Sequence, residues 1–205
     1  RQDGMHPIMF MQCGDIAYES KKEIKKIHTL KTVISTFEAL SDDFSLILNQ
    51  MVEDFDRNNL IISEIEKLKD RNILVLSERI EHLNILYHLL DAKKIKSTLI
   101  HGGLKSKMKK EFLKEANSSS IILSTSSFIG EGIDFSHLDA IVLTMPVSYW
   151  GRIVQYLGRI GRDGQECIAV DFYDENTPML RSSFQKRQKG YKKMGYISLN
   201  EKGLF

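Results

Sequence analysis

The sequence predicts an α/β domain, a parallel sheet covered by helices on both faces, with an extended or helical appendage at its N-terminus. Three observations carry this. Short apolar runs alternate with segments of helical period from Ile73 onward, and the runs are apolar at consecutive positions. The composition is globular, with 42% hydrophobic and 27% charged residues and three prolines in 205. A strand that is apolar at every position buries both faces, which requires helices on either side of a parallel sheet. The same composition excludes disordered, collagen-like and low-complexity classes.

The elements follow in order. Ile8 to Tyr18, with Cys13-Gly14 inside, reads as an extended segment or hairpin. Phe44 to Met51 and Asn59 to Leu68 have helical period, the second packing on the sheet. Ile73-Leu74-Val75-Leu76 is a strand, and Ser77 stands at an N-cap position before Ile80, Leu83, Leu86, Leu89 and Leu90 at helical spacing. Thr98-Leu99-Ile100 is a strand, Ser106 to Ala116 a lysine-rich helix, and Ile121-Ile122-Leu123 a strand. After a glycine-containing loop come the strand Ala140 to Leu143, a helix from Gly151 to Leu157, the strand Cys167 to Tyr173 and a polar helix from Pro178 to Lys193. Composition shifts near Leu40 to Asp43. Residues 1–40 are therefore expected to be a remnant or linker from an upstream domain, and residues 41–205 the main domain with a basic C-terminal helix. Functional groups are expected at the carboxyl ends of the strands.

Charge is segregated although the net is only +2, from 29 Lys+Arg and 27 Asp+Glu. Glu38 to Asp56 holds six acidic residues and no Lys or Arg, whereas Arg181 to Phe205 holds seven basic residues against Glu201. Lys105, Lys107, Lys109, Lys110 and Lys114 form a second basic cluster. Such runs are solvated helix faces or tracks for an anionic polymer. No run approaches 18 apolar residues, and the N-terminus lacks signal-peptide layout, so no membrane association and a cytoplasmic location are expected. Cys13 and Cys167 make neither a disulfide framework nor a four-cysteine metal site, and the six histidines show no ligand spacing, so no metal is expected. The first residue is Arg, which suggests a piece of a longer chain.

The most informative stretch is Gln155-Tyr156-Leu157-Gly158-Arg159-Ile160-Gly161-Arg162. Spacings of four and three place Gln155, Arg159 and Arg162 on one side of a helix, with Gly158 allowing close approach. Two forked guanidiniums one turn apart suit the spread charge of a nucleotide's γ-phosphoryl group; surface pairing with Asp163 or Glu166 is the plainer reading. A packing helix would do better with alanine than with Gly158 and Gly161.

This octapeptide fits the pattern Q-x-x-G-R-x-x-R, and with it the chain resembles the C-terminal RecA-like domain of superfamily 2 helicases and translocases. Ser124 to Asp134, with Gly130-Glu131-Gly132-Ile133-Asp134, resembles the family's motif V in the expected place after a buried strand. Leu74-Val75-Leu76-Ser77 resembles motif IV, and His101-Gly102-Gly103 resembles the strand-end loop between the two. The resemblance covers Ile73 to Tyr173. It is most similar to the branch of DEAD/DEAH-like proteins and type III restriction-enzyme motor subunits.

The resemblance implies an ATP-dependent motor. Arg159 and Arg162 would be arginine fingers reaching the γ-phosphate of ATP held by a first motor domain, and Gln155 would help position that site. Gly132, Asp134 and Gly158 would approach the nucleotide, although Asp134 could instead cap the loop before Leu138. Ser77, Gly102 and Thr125 would contact the phosphate backbone of DNA or RNA, DNA being favoured, with Arg79 a further candidate. Ser126 could replace Thr125, and Ser77 could equally be a helix cap.

Two family elements are missing. There is no G-x-x-x-x-G-K-[S/T] loop and no strand ending in a DExx box, so Mg²⁺ and most ATP contacts would belong to the upstream RecA-like domain. Asp174-Glu175 follows a strand but precedes a turn and helix start, which reads as structural. The isolated chain is therefore expected not to hydrolyse ATP. A docking module of a restriction or defence complex, without ATP chemistry, is the alternative. An enzyme binding another nucleotide on a doubly wound sheet would need a Gly-x-Gly-x-x-Gly turn, which is absent.

Overall fold

The computed structural model describes residues 28–104, 114–116, 118–130, 137–147, 156–157 and 166–199. Seven strands form one sheet: β1 (His28–Ser35), β2 (Ile73–Ser77), β3 (Thr98–Ile100), β4 (Ile121–Thr125), β5 (Ala140–Leu143), β6 (Cys167–Asp174) and β7 (Tyr196–Ser198). Their order is β3-β4-β2-β5-β6-β1-β7, and every pairing is parallel. All carboxyl ends therefore lie on one edge. The helices are α1 (Phe44–Glu53), α2 (Phe55–Lys67), α3 (Ile80–Ala92), α4 (Ser126–Gly130) and α5 (Pro178–Lys193).

Alternate residues of each strand feed separate cores. Leu74, Leu76, Ile122, Ile141, Leu143 and Ala169 pack on one face with Phe128, Tyr156, Leu157 and Tyr191. Ile73, Val75, Leu123, Val142, Val170 and Phe172 pack on the other with α2 and α3, through Ile61, Ile62, Ile65, Leu83, Leu86 and Leu90. This two-sided burial is what the apolar runs predict, and each such side chain contributes roughly 1.5–3 kcal/mol. A smaller cluster of Phe37, Ile47, Met51, Val52, Met145 and Leu180 closes the carboxyl edge near β1.

The structure corrects four expectations. Among the described residues the sheet begins at His28, inside the stretch expected to be remnant or linker: β1 pairs with β6 along eight residues and carries β7 on its outer side. Its mixed sequence, HTLKTVIS, hides this role because Lys31 is drawn to the buried Glu64 carboxylate, 2.5 Å away. Second, Ser77 is not the cap of α3. The strand runs through Ser77, and Arg79 is the N-cap residue, without a side-chain cap bond. Third, α2 begins at Phe55, ahead of Asn59, because Asp54 caps it by accepting the Arg57 amide at 2.7 Å. Fourth, Arg187 is no part of an exposed basic face. It is buried, pairing with Asp171 at 2.7 Å and donating to Ser183 Oγ and the Phe172 carbonyl. Arg181, Lys186, Lys189 and Lys192 remain exposed along α5. The Ile8 to Tyr18 segment and most of the expected helices Ser106 to Ala116 and Gly151 to Leu157 lie outside the described residues.

Candidate nucleic-acid interface

Three adjacent strands end side by side. In the β2–β4 register Ser77 is level with Thr125, and in the β3–β4 register Ile100 is level with Ser124, so His101 comes level with Thr125 and Gly102 follows. Strands lie about 4.8 Å apart, so these ends form a row roughly 10 Å long. Ser77, Thr125 and Gly102 are thus brought together along one edge, with Arg79 at the start of α3 beside them.

Their side chains differ in availability. The Ser77 hydroxyl is buried and engaged: it accepts the Arg79 amide at 3.1 Å and lies 3.2 Å from His82 Nδ1. The partners fix the tautomer of His82. Asn58 donates through Nδ2 to the Val52 carbonyl at 2.9 Å, so its Oδ1 accepts from His82 Nε2 at 2.8 Å. Nδ1 is then the acceptor, and Ser77 donates to it. Thr144 Oγ1, 3.4 Å from Nδ1, spends its proton on the Leu76 carbonyl at 2.8 Å. Thr125 and Ser126 are also buried, and Thr125 Oγ1 accepts from Ser127 at 3.3 Å. Any phosphate contact at Ser77 would therefore come from backbone amides rather than from its hydroxyl.

Gly102 is different. A Cβ there would meet nothing within 4 Å, and its φ is not positive; among the described residues only Gly195 and Lys94 have positive φ. Among the described residues neither packing nor backbone conformation asks for glycine. The space beside its backbone is open.

Beneath the row, Arg57 holds the ends of β5 and β6. Its guanidinium forks onto Asp174, at 2.8 and 3.2 Å, and donates to the Thr144 carbonyl at 2.7 Å. Burial pushes the Asp174 carboxyl up, but the charge and hydrogen bonds of Arg57 outweigh this and hold it below the ordinary range. Asp174 is structural, as its turn context suggests. Burial, with the nearby Arg57 charge, pushes His82 down to about 3, so the imidazole is neutral.

This depressed value gives stability a pH dependence of definite sign. Below pH 6.5 the unfolded chain protonates this histidine and the folded chain does not. The His82 contribution is complete above about pH 6.5 and lost as pH falls toward 3. At pH 4.5 the loss is about 2–3 kcal/mol, from about 1.4 kcal/mol per pH unit. Urea unfolding of wild type and His82→Leu between pH 7 and 4.5 should show a steeper decline in the wild type; parallel curves would contradict it.

Sequence reasoning missed Arg57, Asn58, Thr144 and the Arg187–Asp171 pair. The only signal for His82 was its place on the 82-83-86-90 stripe that α3 buries. Gln155, Gly158, Arg159, Arg162, Gly132 and Asp134 lie outside the described residues. Tyr156 and Leu157 are described and buried, and Tyr156 shares a small crevice at the carboxyl edge with Ser77 and Ser126. Among the described residues no His, Cys, Asp or Glu cluster could hold a metal ion, and no helix is long and apolar enough to cross a membrane.

Comparison with known proteins agrees with this geometry. Residues 56–164 match the model of the helicase conserved C-terminal domain. An African swine fever virus protein (isolate Pig/Kenya/KEN-50/1950) named "Putative ATP-dependent RNA helicase QP509L" is 31% identical over 141 residues, 67% of this chain and 25% of its own length. Saccharomyces cerevisiae Dbp5 bound to RNA and ADP BeF3 superimposes with TM-score 0.61 at 16% identity, over 85% of this chain and 42% of that one. T4 UvsW does so with TM-score 0.64 at 18% identity, over 84% and 40%. The chain thus spans about a quarter of that viral relative. With a RecA-like parallel sheet, its strand ends in a row and a family match across more than half its length, the chain belongs to the family of helicase conserved C-terminal domains.

Proposed function

We propose that this chain is the second motor domain of an ATP-dependent nucleic-acid helicase or translocase. The observation that carries the reading is the row of strand ends at Ser77, Gly102 and Thr125, with a glycine that nothing among the described residues requires. Backbone amides at such ends bind phosphate oxygens without reading bases. Arg159 and Arg162 act as the arginine fingers, Gln155 positions them, and Gly132, Asp134 and Gly158 approach the nucleotide. ATP is shared with an upstream RecA-like domain, which also holds Mg²⁺. Closure of the two domains on ATP and release after hydrolysis alternate their grips on the strand. The viral relative carries RNA in its name and Dbp5 was seen with RNA, so nothing in these comparisons supports the DNA preference, and both polymers belong in the test.

Gly102→Ala separates binding from folding. The added methyl meets no protein atom, so the domain should keep its stability or gain about 0.4–1 kcal/mol from a less flexible unfolded chain. Binding of single-stranded RNA or DNA by the full-length protein should weaken roughly tenfold, the scale of one impaired charged hydrogen bond. Unchanged affinity for both polymers would remove Gly102 from the track.

A further inference from the structure

A cleft of about 360 Å³ opens beside this row, between α3 and the outer side of β3, which is an edge strand among the described residues. Its size suits one small organic group. Thr98 and Leu99 line it from β3, Ser97 and His101 from the residues on either side of that strand, and Asn84 and Tyr87 from α3, with Leu104 and Glu115 completing it. Two of these residues carry polar atoms that are shut from solvent and have no hydrogen-bond partner among the described residues: Ser97 Oγ and His101 Nδ1. The neighbouring Thr98 hydroxyl, in contrast, is paired with Ser119. Buried polar atoms are normally satisfied, so two orphans in one cleft mark places where a ligand can supply the bonds. Gly103 leaves room beside the imidazole; a Cβ there would stand 3.1 Å from Nδ1.

The lining also says what that ligand is not. Among the described lining residues there is one charge, the Glu115 carboxylate, and no Lys or Arg. Burial pushes the His101 imidazole below its ordinary value, toward the neutral form. Nothing among these described residues would compensate a phosphate, and Glu115 would repel it. A neutral ring with hydrogen-bonding edges fits: it can lie on the Tyr87 ring and on Leu99 and Leu104 while its edge serves Ser97 and His101. The same unit's phosphate would stay outside, where the chain turns through Gly102.

We propose that this cleft receives one unstacked nucleoside of the strand whose backbone lies across Gly102. The inference rests on the motor-domain reading of that edge. It makes binding depend on the presence of bases as well as of phosphates.

The test compares the full-length protein's affinity for a single-stranded RNA and for an abasic strand of equal length and charge. The wild type should prefer the strand with bases by roughly 5- to 150-fold, the range for one base–aromatic contact. Tyr87→Ala should erase that preference and leave abasic-strand affinity unchanged. Ser97→Ala, which removes an unpaired hydroxyl and does not threaten folding, should reduce the preference in the same direction. Equal wild-type affinity for both strands would overturn the cleft assignment while leaving the backbone track intact, as would a preference untouched in both variants. Binding of neither strand would overturn the motor reading and the cleft together. Displacement of RNA by micromolar free adenosine would reassign the cleft to a free nucleoside and overturn the strand assignment.

Discussion

Arg57→Met should destabilise the domain by about 3–5 kcal/mol, the cost of leaving one member of a buried ion pair without its partner. Arg57 and Asp174 are 2% and 3% exposed, so neither charge can turn to water. The guanidinium satisfies both carboxylate oxygens and the Thr144 carbonyl, tying α2 to the ends of β5 and β6. Removing it takes a charged donor from three acceptors at once, and leaves the Asp174 carboxylate with the Ser35 hydrogen bond but no adjacent guanidinium. For a domain whose net stability is on the order of 5–15 kcal/mol, this is a large fraction. The double variant Arg57→Met/Asp174→Leu should recover most of the loss, because an apolar pair removes the stranded charge. Urea denaturation of the four proteins in this cycle checks it. A single variant within 1 kcal/mol of wild type, or a double variant worse than the single, would contradict the account.

How far the sequence disclosed this molecule depends on which physical signal each element carries. The strands at Ile73 to Leu76, Thr98 to Ile100, Ile121 to Leu123 and Ala140 to Leu143 were legible because burial on both faces leaves short, mostly apolar runs, while the polar ends Ser77, Ser124 and Thr125 were not legible as strand. α5 was legible from Pro178 at its start and its polar helical period. β1 was not, because Lys31 and two threonines break the apolar run, and Lys31 is tolerated only through Glu64 on α2, more than thirty residues away. β7 has three residues, and only its pairing with β1 makes it a strand.

The site shows the same division. The motif residues Ser77, Gly102 and Thr125 fell on neighbouring strand ends because their spacing from apolar runs was readable. The network behind them was not. Asn58, His82 and Thr144 come from α2, α3 and the end of β5, and only the folded sheet brings them within hydrogen-bond reach. Arg187 shows the converse error: in the sequence it belongs to a basic run, but its partner Asp171 sits on β6, facing α5.

The proposed motor role is tested most directly by nucleic-acid-stimulated ATP turnover of the full-length protein with Arg162 intact or replaced by alanine. An arginine finger stabilises charge that develops only in the transition state, so its loss should lower turnover by on the order of 10³- to 10⁵-fold. ATP and polynucleotide binding should change far less, and folding should be unaltered. The 205-residue chain alone should show no turnover, since the phosphate-cradling loop and the DExx strand are absent from it. Stimulated turnover in the wild type and its collapse in Arg162→Ala is the predicted result; wild-type turnover in that variant would contradict the account.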